Sequence, residues 1–253
     1  MRSRCPALWS CLAPGLALLA FAAGSRPAAA YPLNPWGAHT ATGYVAVNPF
    51  LYLYSGPSIY PIVYVEAGLT DHWDIIGGLA GYANLYSPGG GGGLDYLEVF
   101  PRYFFNDNMG VTLHIIYGLP GSASYADTLQ VGPELHAVFG GDTMALTLNA
   151  GWSPAFEFGS ESSFNVGSVF IKAAPEYNIS KQFSVYLEVD PSLELGSTLS
   201  PGLILVPGVG FATDKDQTNT FSVGLQVDTM DGNGFGADNL SVGVWWARGW
   251  GGS

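Results

Sequence analysis

The sequence predicts an all-β protein, a transmembrane antiparallel up-and-down β-barrel of about twelve strands. Three observations carry that expectation. Apolar and polar residues alternate with period two along most of the chain, turn residues recur between the alternating stretches, and charged residues are scarce. The stretch PELHAVFGGDTMALTLNAGW, residues 133–152, shows the first two together. Glu134, His136 and Val138 alternate with Leu135, Ala137 and Phe139, a GGD turn follows, and Met144, Leu146 and Leu148 then alternate with Ala145, Thr147 and Asn149. That is a β-hairpin in sequence form. Only 11% of residues are charged and the mean hydropathy is +0.22, whereas a soluble surface wants roughly 25 to 35% charged residues. No later run has the length of an apolar membrane helix. A chain whose solvent is lipid then has the closed barrel as its remaining solution.

The chain opens as a leader. Arg2 and Arg4 form a basic start, an apolar run extends from Leu12 to Ala23, and Ala28 and Ala30 satisfy an A-x-A cleavage rule. Residues 1–30 read as a secretory signal peptide, too short in its apolar run for a spanning helix of ~20 residues. Both cysteines, Cys5 and Cys11, fall inside it. The mature chain therefore has no thiol chemistry and no disulfide. Cleavage also removes Arg2, Arg4 and Arg26, leaving five basic against twenty acidic side chains, a charge of −15. No basic footprint for nucleic acid is present.

Residues 31–42, YPLNPWGAHTAT, read as an irregular lead that either tucks into the barrel as a partial plug or hangs free. The barrel occupies 43–253. Its strands are expected near 43–54, 60–69, 74–85, 94–105, 109–119, 128–139, 143–156, 166–178, 182–194, 202–213, 218–229 and 238–248. Each is near the ~9 to 11 residues that cross a bilayer at a tilt. The connections sort into two sets. TDHWD, NDN, GGD, SKQ and TDKDQ are compact, whereas SGPS, SPGGGGG, PGSASYAD, EFGSESSFN, GSTLSP and DGNGFGAD are mostly longer and richer in Gly and Ser. Short periplasmic turns alternating with longer external loops are an outer-membrane pattern, so the expected location is the outer membrane of a Gram-negative bacterium.

Pro101, Pro133, Pro175 and Pro207 each lie on a strand running toward a compact turn, at spacings of 32, 42 and 32 residues. Each unit is one hairpin plus one loop. Parity puts these prolines on the outer face with Phe105, Phe139, Tyr177 and Phe211, an aromatic girdle at one membrane interface. A proline deletes a ladder hydrogen bond, so bulges or kinks are expected at these four positions.

With Leu135 and Leu146 outward, the inward file is Glu66, Asp74, Glu98, Arg102, His114, Glu134, His136, Asn149, Lys172, Glu176, Glu188, Asp190, Glu194 and Asp228. Nine carboxylates face two bases. Charges at that density stay ionised only beside water or each other, which implies an internal wet space. Arg102, Glu134 and Glu176 each follow a repeat proline, and Arg102 is expected to bridge toward Glu134. Glu98, Arg102, His114, Glu134, His136, Lys172, Glu176, Glu188 and Asp190 are the candidate lumen or constriction residues.

An enzyme is not expected. A lipid hydrolase of the outer leaflet needs a His base there, but His39 and His72 fall near compact turns and His114 and His136 point inward. The G-x-S-x-G elbow is missing and no histidine spacing suggests a metal, so neither a catalytic residue nor a cofactor is assigned. The expected partners are outer-membrane lipid and a small solute.

The units VEAGLTDHWDIIGGLAGY and EVFPRYFFNDNMGVTLHIIYG, with a mature length near 220 residues, resemble outer-membrane transporters grouped as the MetA-pathway phenol-degradation family. The resemblance covers most of the mature chain and implies passage of small solutes, hydrophobic or aromatic compounds among them. It transfers no binding residue. The chain departs from common barrel habit by ending RGWGGS rather than on an aromatic residue. The reading is a passive channel for small solutes with an acidic lumen; a lipid-modifying enzyme and a closed structural or adhesive barrel are the alternatives.

Overall fold

In the computed structural model the described residues are 39–54, 58–84, 91–120, 127–158, 162–196, 198–213, 219–231 and 234–250. The leader over 1–30 and residues 31–38 of the lead lie outside them. Twelve strands follow in order: β1 (Val45–Tyr54), β2 (Ser58–Gly68), β3 (Trp73–Asn84), β4 (Gly92–Asn106), β5 (Met109–Gly118), β6 (Thr128–Gly140), β7 (Met144–Glu157), β8 (Ser163–Ser180), β9 (Phe183–Leu195), β10 (Leu199–Ala212), β11 (Asn219–Asp231) and β12 (Gly234–Trp250). Each strand pairs antiparallel with its neighbours in sequence, and β1 closes on β12. The barrel therefore has no edge strand, so its backbone groups can be satisfied within lipid.

Period two is borne out by burial. Leu135 is 59% exposed on the outer surface while Glu134 beside it is 2% exposed on the inner one. Val63, Val99, Leu113, Ile171 and Leu187 are likewise exposed outward. Aromatic rings gather on the outer face near the compact turns, where Phe211 stacks on Phe221 at 5.1 Å and Phe221 on Trp246 at 6.1 Å. Phe156 and Phe164 pair at the opposite end, 5.0 Å apart. Two aromatic zones at two depths are the arrangement a membrane interface favours.

The loops are less sorted than the sequence suggested. DGNGFGAD is largely absorbed into the sheet, because β11 runs to Asp231 and β12 starts at Gly234, with Met230↔Phe235 and Asp231↔Gly234 in register. GSTLSP shrinks similarly between Leu195 and Leu199. Glycine and serine accept extended backbone when a partner strand supplies the ladder. The connections that stay long are 85–91 and 119–127, whereas 158–162 is shorter than 213–218 on the compact-turn side.

The expected bulges at the repeat prolines are also absent. Pro101, Pro133, Pro175 and Pro207 each pair in regular register with the preceding strand, opposite Ile75, Leu113, Leu146 and Leu187. On the following strand the ladder skips instead. Between Val99↔Ile115 and Arg102↔Thr112 both strands advance by three residues, and the same equal advance flanks Pro175 and Pro207. A strand residue directs its N–H to one neighbour only, so losing it opens one side of the ladder without inserting a residue. The register shifts fall elsewhere, at Ala80/Gly81 and Ser153/Ala155 among other places.

Candidate functional site

The barrel interior divides into two halves by depth. Buried inward side chains concentrate in the half nearest the compact turns, whereas the half nearest the longer loops opens along β6–β11 and is filled at Asp95 and Ile116. The sequence reading described the charged file as lining a wet space. In the turn half it is packed.

Aromatic and aliphatic side chains supply much of that packing. Phe50, Ile62, Tyr64, Ile76, Phe100, Tyr186, Val206 and Trp245 form one buried cluster, with Tyr52, Tyr96 and Ile204 against it. These residues come from β1–β4, from β12, which pairs directly with β1, and from β9 and β10 on a different wall, so the cluster spans the lumen between β1–β4 and β9–β10. Phe50 meets the Tyr64 ring edge-on at 5.3 Å and lies 5.9 Å from Trp245. Glycines make room for the rings: a Cβ at Gly208 would collide with the Tyr186 ring, and one at Gly78 with Tyr64. Each ring removed from water in this way contributes ~1.5 to 3 kcal/mol. The cluster was missed in the sequence although parity could have found it. Phe100 shares its parity with Glu98 and Arg102, Tyr64 with Glu66, and Tyr186 with Glu188.

The charged residues occupy the same level. Arg102 on β4 holds both oxygens of Asp74 on β3, Nε to Oδ1 at 2.6 Å and Nη2 to Oδ2 at 2.8 Å, and Nη2 also reaches Glu66 on β2 at 2.5 Å. The expected bridge from Arg102 to Glu134 is thus not made. Asp74 is the direct cross-strand partner of Arg102, while Thr112 of β5 stands between Arg102 and Glu134. Glu134 instead accepts a hydrogen bond from Asn149 Nδ2 at 2.5 Å. His136 lies over Gly110 with Nδ1 3.1 Å from Thr112 Oγ1. Glu98 accepts from the Tyr64 hydroxyl at 3.0 Å and sits 3.4 Å from His114 Nε2. Lys172 places Nζ 5.3 Å from the Phe170 ring centre. Glu176, Glu188 and Asp190 are buried on β8 and β9, next to the strand position of Tyr186.

Residues 39–42 cross the turn-side mouth. Thr40 N donates to Asp74 Oδ2 at 2.9 Å, and its hydroxyl hydrogen-bonds Glu66 and accepts from Arg102 Nη2 at 3.2 Å. Gly68 faces the Ala41 carbonyl so closely that any Cβ there would collide with it. The segment is therefore keyed into both the ion cluster and the end of β2.

The loop half holds a cavity of about 460 Å³ lined by β6–β11, including Gln130, Ser168, Ser192, Glu194, Ser200 and Asp228. Glu194 is exposed to this space, unlike the carboxylates below it. The four described histidines are elsewhere: His114 and His136 face the packed lumen, His39 packs its ring 4.8 Å from that of Phe104, and His72 Nδ1 lies 3.1 Å from the Phe104 carbonyl oxygen near a compact turn.

A closed twelve-stranded barrel with a lipid-facing apolar surface, two aromatic zones and a polar interior is an outer-membrane β-barrel. Solved structures of that class are similar to this chain. An outer-membrane channel from Pseudomonas putida F1 has a TM-score of 0.60 at 11% identity, covering 87% of this chain and 100% of that one. The NanC porin has a TM-score of 0.57 at 9% identity, covering 80% and 98%. The KdgM porin in complex with disordered oligogalacturonate has 0.51 at 9% identity, covering 81% and 99%. No family model matches the chain, and no curated protein does. The likeness is one of fold.

Proposed function

We propose that the protein is an outer-membrane channel for passive passage of small solutes, with an acidic lumen that favours cations over anions. The observation that carries this reading is the solvent-open cavity in the loop half, with Glu194 and Asp228 in its lining, above a turn half that side chains and residues 39–42 fill among the described residues. The similar folds described above include channels and porins, which supports the same reading.

Within it, the end of the lead at residues 39–42 acts as a partial plug, consistent with Thr40 seated on the Asp74–Arg102–Glu66 cluster; residues 31–38 lie outside the described residues. Glu98, Arg102, His114, Glu134, His136, Lys172, Glu176, Glu188 and Asp190 form the constriction. The family resemblance adds hydrophobic or aromatic compounds to the candidate solutes, and the partly buried inward rings of Tyr52 and Tyr96 beside the cluster are compatible surfaces for them. The packing of the turn half favours one second reading, a closed barrel with a structural or adhesive role. Single-channel recording in a planar bilayer separates the two: discrete conductance steps are expected, and a silent bilayer containing folded protein would favour the closed barrel.

A further inference from the structure

The open half of the lumen has two chemically different walls. On one, Ser153 of β7, Ser168 of β8, Glu194 of β9 and Ser200 of β10 are consecutive register partners, so they form a single row across four strands. Gln130 of β6 extends the row, accepting a hydrogen bond from Ser153 Oγ at 3.3 Å. Asn165, Ser192 and Asp228 line the same cavity. On the other wall stand inward tyrosines. Tyr52 of β1 and Tyr60 of β2 are register partners, and the Tyr60 and Tyr82 rings lie 6.4 Å apart. In a closed ring of twelve strands β2 lies opposite β8, and β3 opposite β9. The tyrosines therefore face the serine and carboxylate row across the opening.

We infer that this half of the lumen is a binding site for neutral saccharides, a reading that rests on the channel function proposed above. Hydroxyls and primary amides are each both donor and acceptor, and a carboxylate accepts strongly; together they match the ring of alternating donors and acceptors at the edge of a pyranose. The sugar's C–H face is apolar and needs a flat apolar partner, which tyrosine supplies while its hydroxyl stays hydrated. A purely apolar solute would leave the serine row without bonds, whereas an acidic sugar would meet Glu194 and Asp228 as like charges. Six neutral polar residues against two carboxylates also fit a polyol better than an organic cation. The cavity along the serine and carboxylate row, about 460 Å³ and lined from β6–β11 alone, lies within the range of small-ligand sites, with the tyrosines on the strands opposite it.

The test is titration calorimetry on the full mature barrel in a polyoxyethylene detergent, since a maltoside headgroup would compete. The probes are maltose, sucrose, digalacturonate and benzyltrimethylammonium. Saturable binding of at least one neutral disaccharide in the millimolar range is expected, with digalacturonate and the ammonium ion inert. Tyr82→Leu should weaken sugar binding about tenfold by removing one stacking face. Ser168→Ala, a smaller change, should weaken it without altering heat-modifiable migration, and Glu194→Gln should admit digalacturonate. No heat with either neutral sugar, or binding of benzyltrimethylammonium instead, would overturn the inference. Because the titration needs no conduction, its failure in a protein that conducts in a bilayer leaves the channel standing, and a silent bilayer is read separately.

Discussion

The guanidinium of Arg102 spans both carboxylate oxygens of Asp74, at 2.6 and 2.8 Å, with neither side chain exposed by more than 1%. The pair sits in direct cross-strand register and adds Glu66 and Thr40 as further partners. Removing one ion from such a pair leaves the other buried without compensation, at a cost of about 3 to 5 kcal/mol. Arg102→Met should therefore lower the urea midpoint strongly, and Arg102→Met with Asp74→Leu should recover much of the loss. A single variant as stable as the parent would show that Asp74 is solvated after all.

The aromatic cluster predicts an effect on conduction. Tyr186 and Phe50 approach from different walls and help close the turn half. Tyr186→Ala and Phe50→Ala should each cost about 3 to 5 kcal/mol as large-to-small changes in a packed interior. Each should also raise single-channel conductance. Unchanged conductance in folded variants would place the pathway away from these rings.

The positions of the strands were legible because a membrane barrel has period two on every strand and few competing signals. Glu134 and Leu135 need only opposite faces, and parity assigns those. Features that depend on a particular neighbour were not legible. Which carboxylate Arg102 takes depends on register across β3, β4 and β5, where Asp74 is one strand away and Glu134 two. The prolines misled because the loss of an N–H was read as an inserted residue, whereas the ladder opens on one side and keeps its count. Tyr64, Phe100 and Tyr186 share parity with the charged file, but the file was interpreted by its charges alone.

Orientation follows from loop length. The connections that stay long are 85–91 and 119–127, on the same end as 158–162, and long loops of such barrels face outward while short turns face the periplasm. Single cysteines at Gly91 and Ser162 should react with an impermeant thiol reagent on whole cells, and cysteines at Asp107 and Asp142 should react only after the outer membrane is permeabilised. The reverse pattern would invert the topology.

Charge selectivity tests the central claim most directly. The parity reading puts nine carboxylates inward against Arg102 and Lys172, and the structure buries Asp95 as well; walls of low dielectric would focus the field of such a file. Glu134→Gln with Glu176→Gln keeps side-chain volume while removing two of those charges from neighbouring walls. The measurement is the reversal potential across a salt gradient in a planar bilayer, at low and high ionic strength. Cation preference is expected in the parent, reduced in the double variant and reduced again as the Debye length falls from ~10 Å at 0.1 M to ~3 Å at 1 M salt. An anion-selective parent, or a folded barrel that passes no current, would contradict the account.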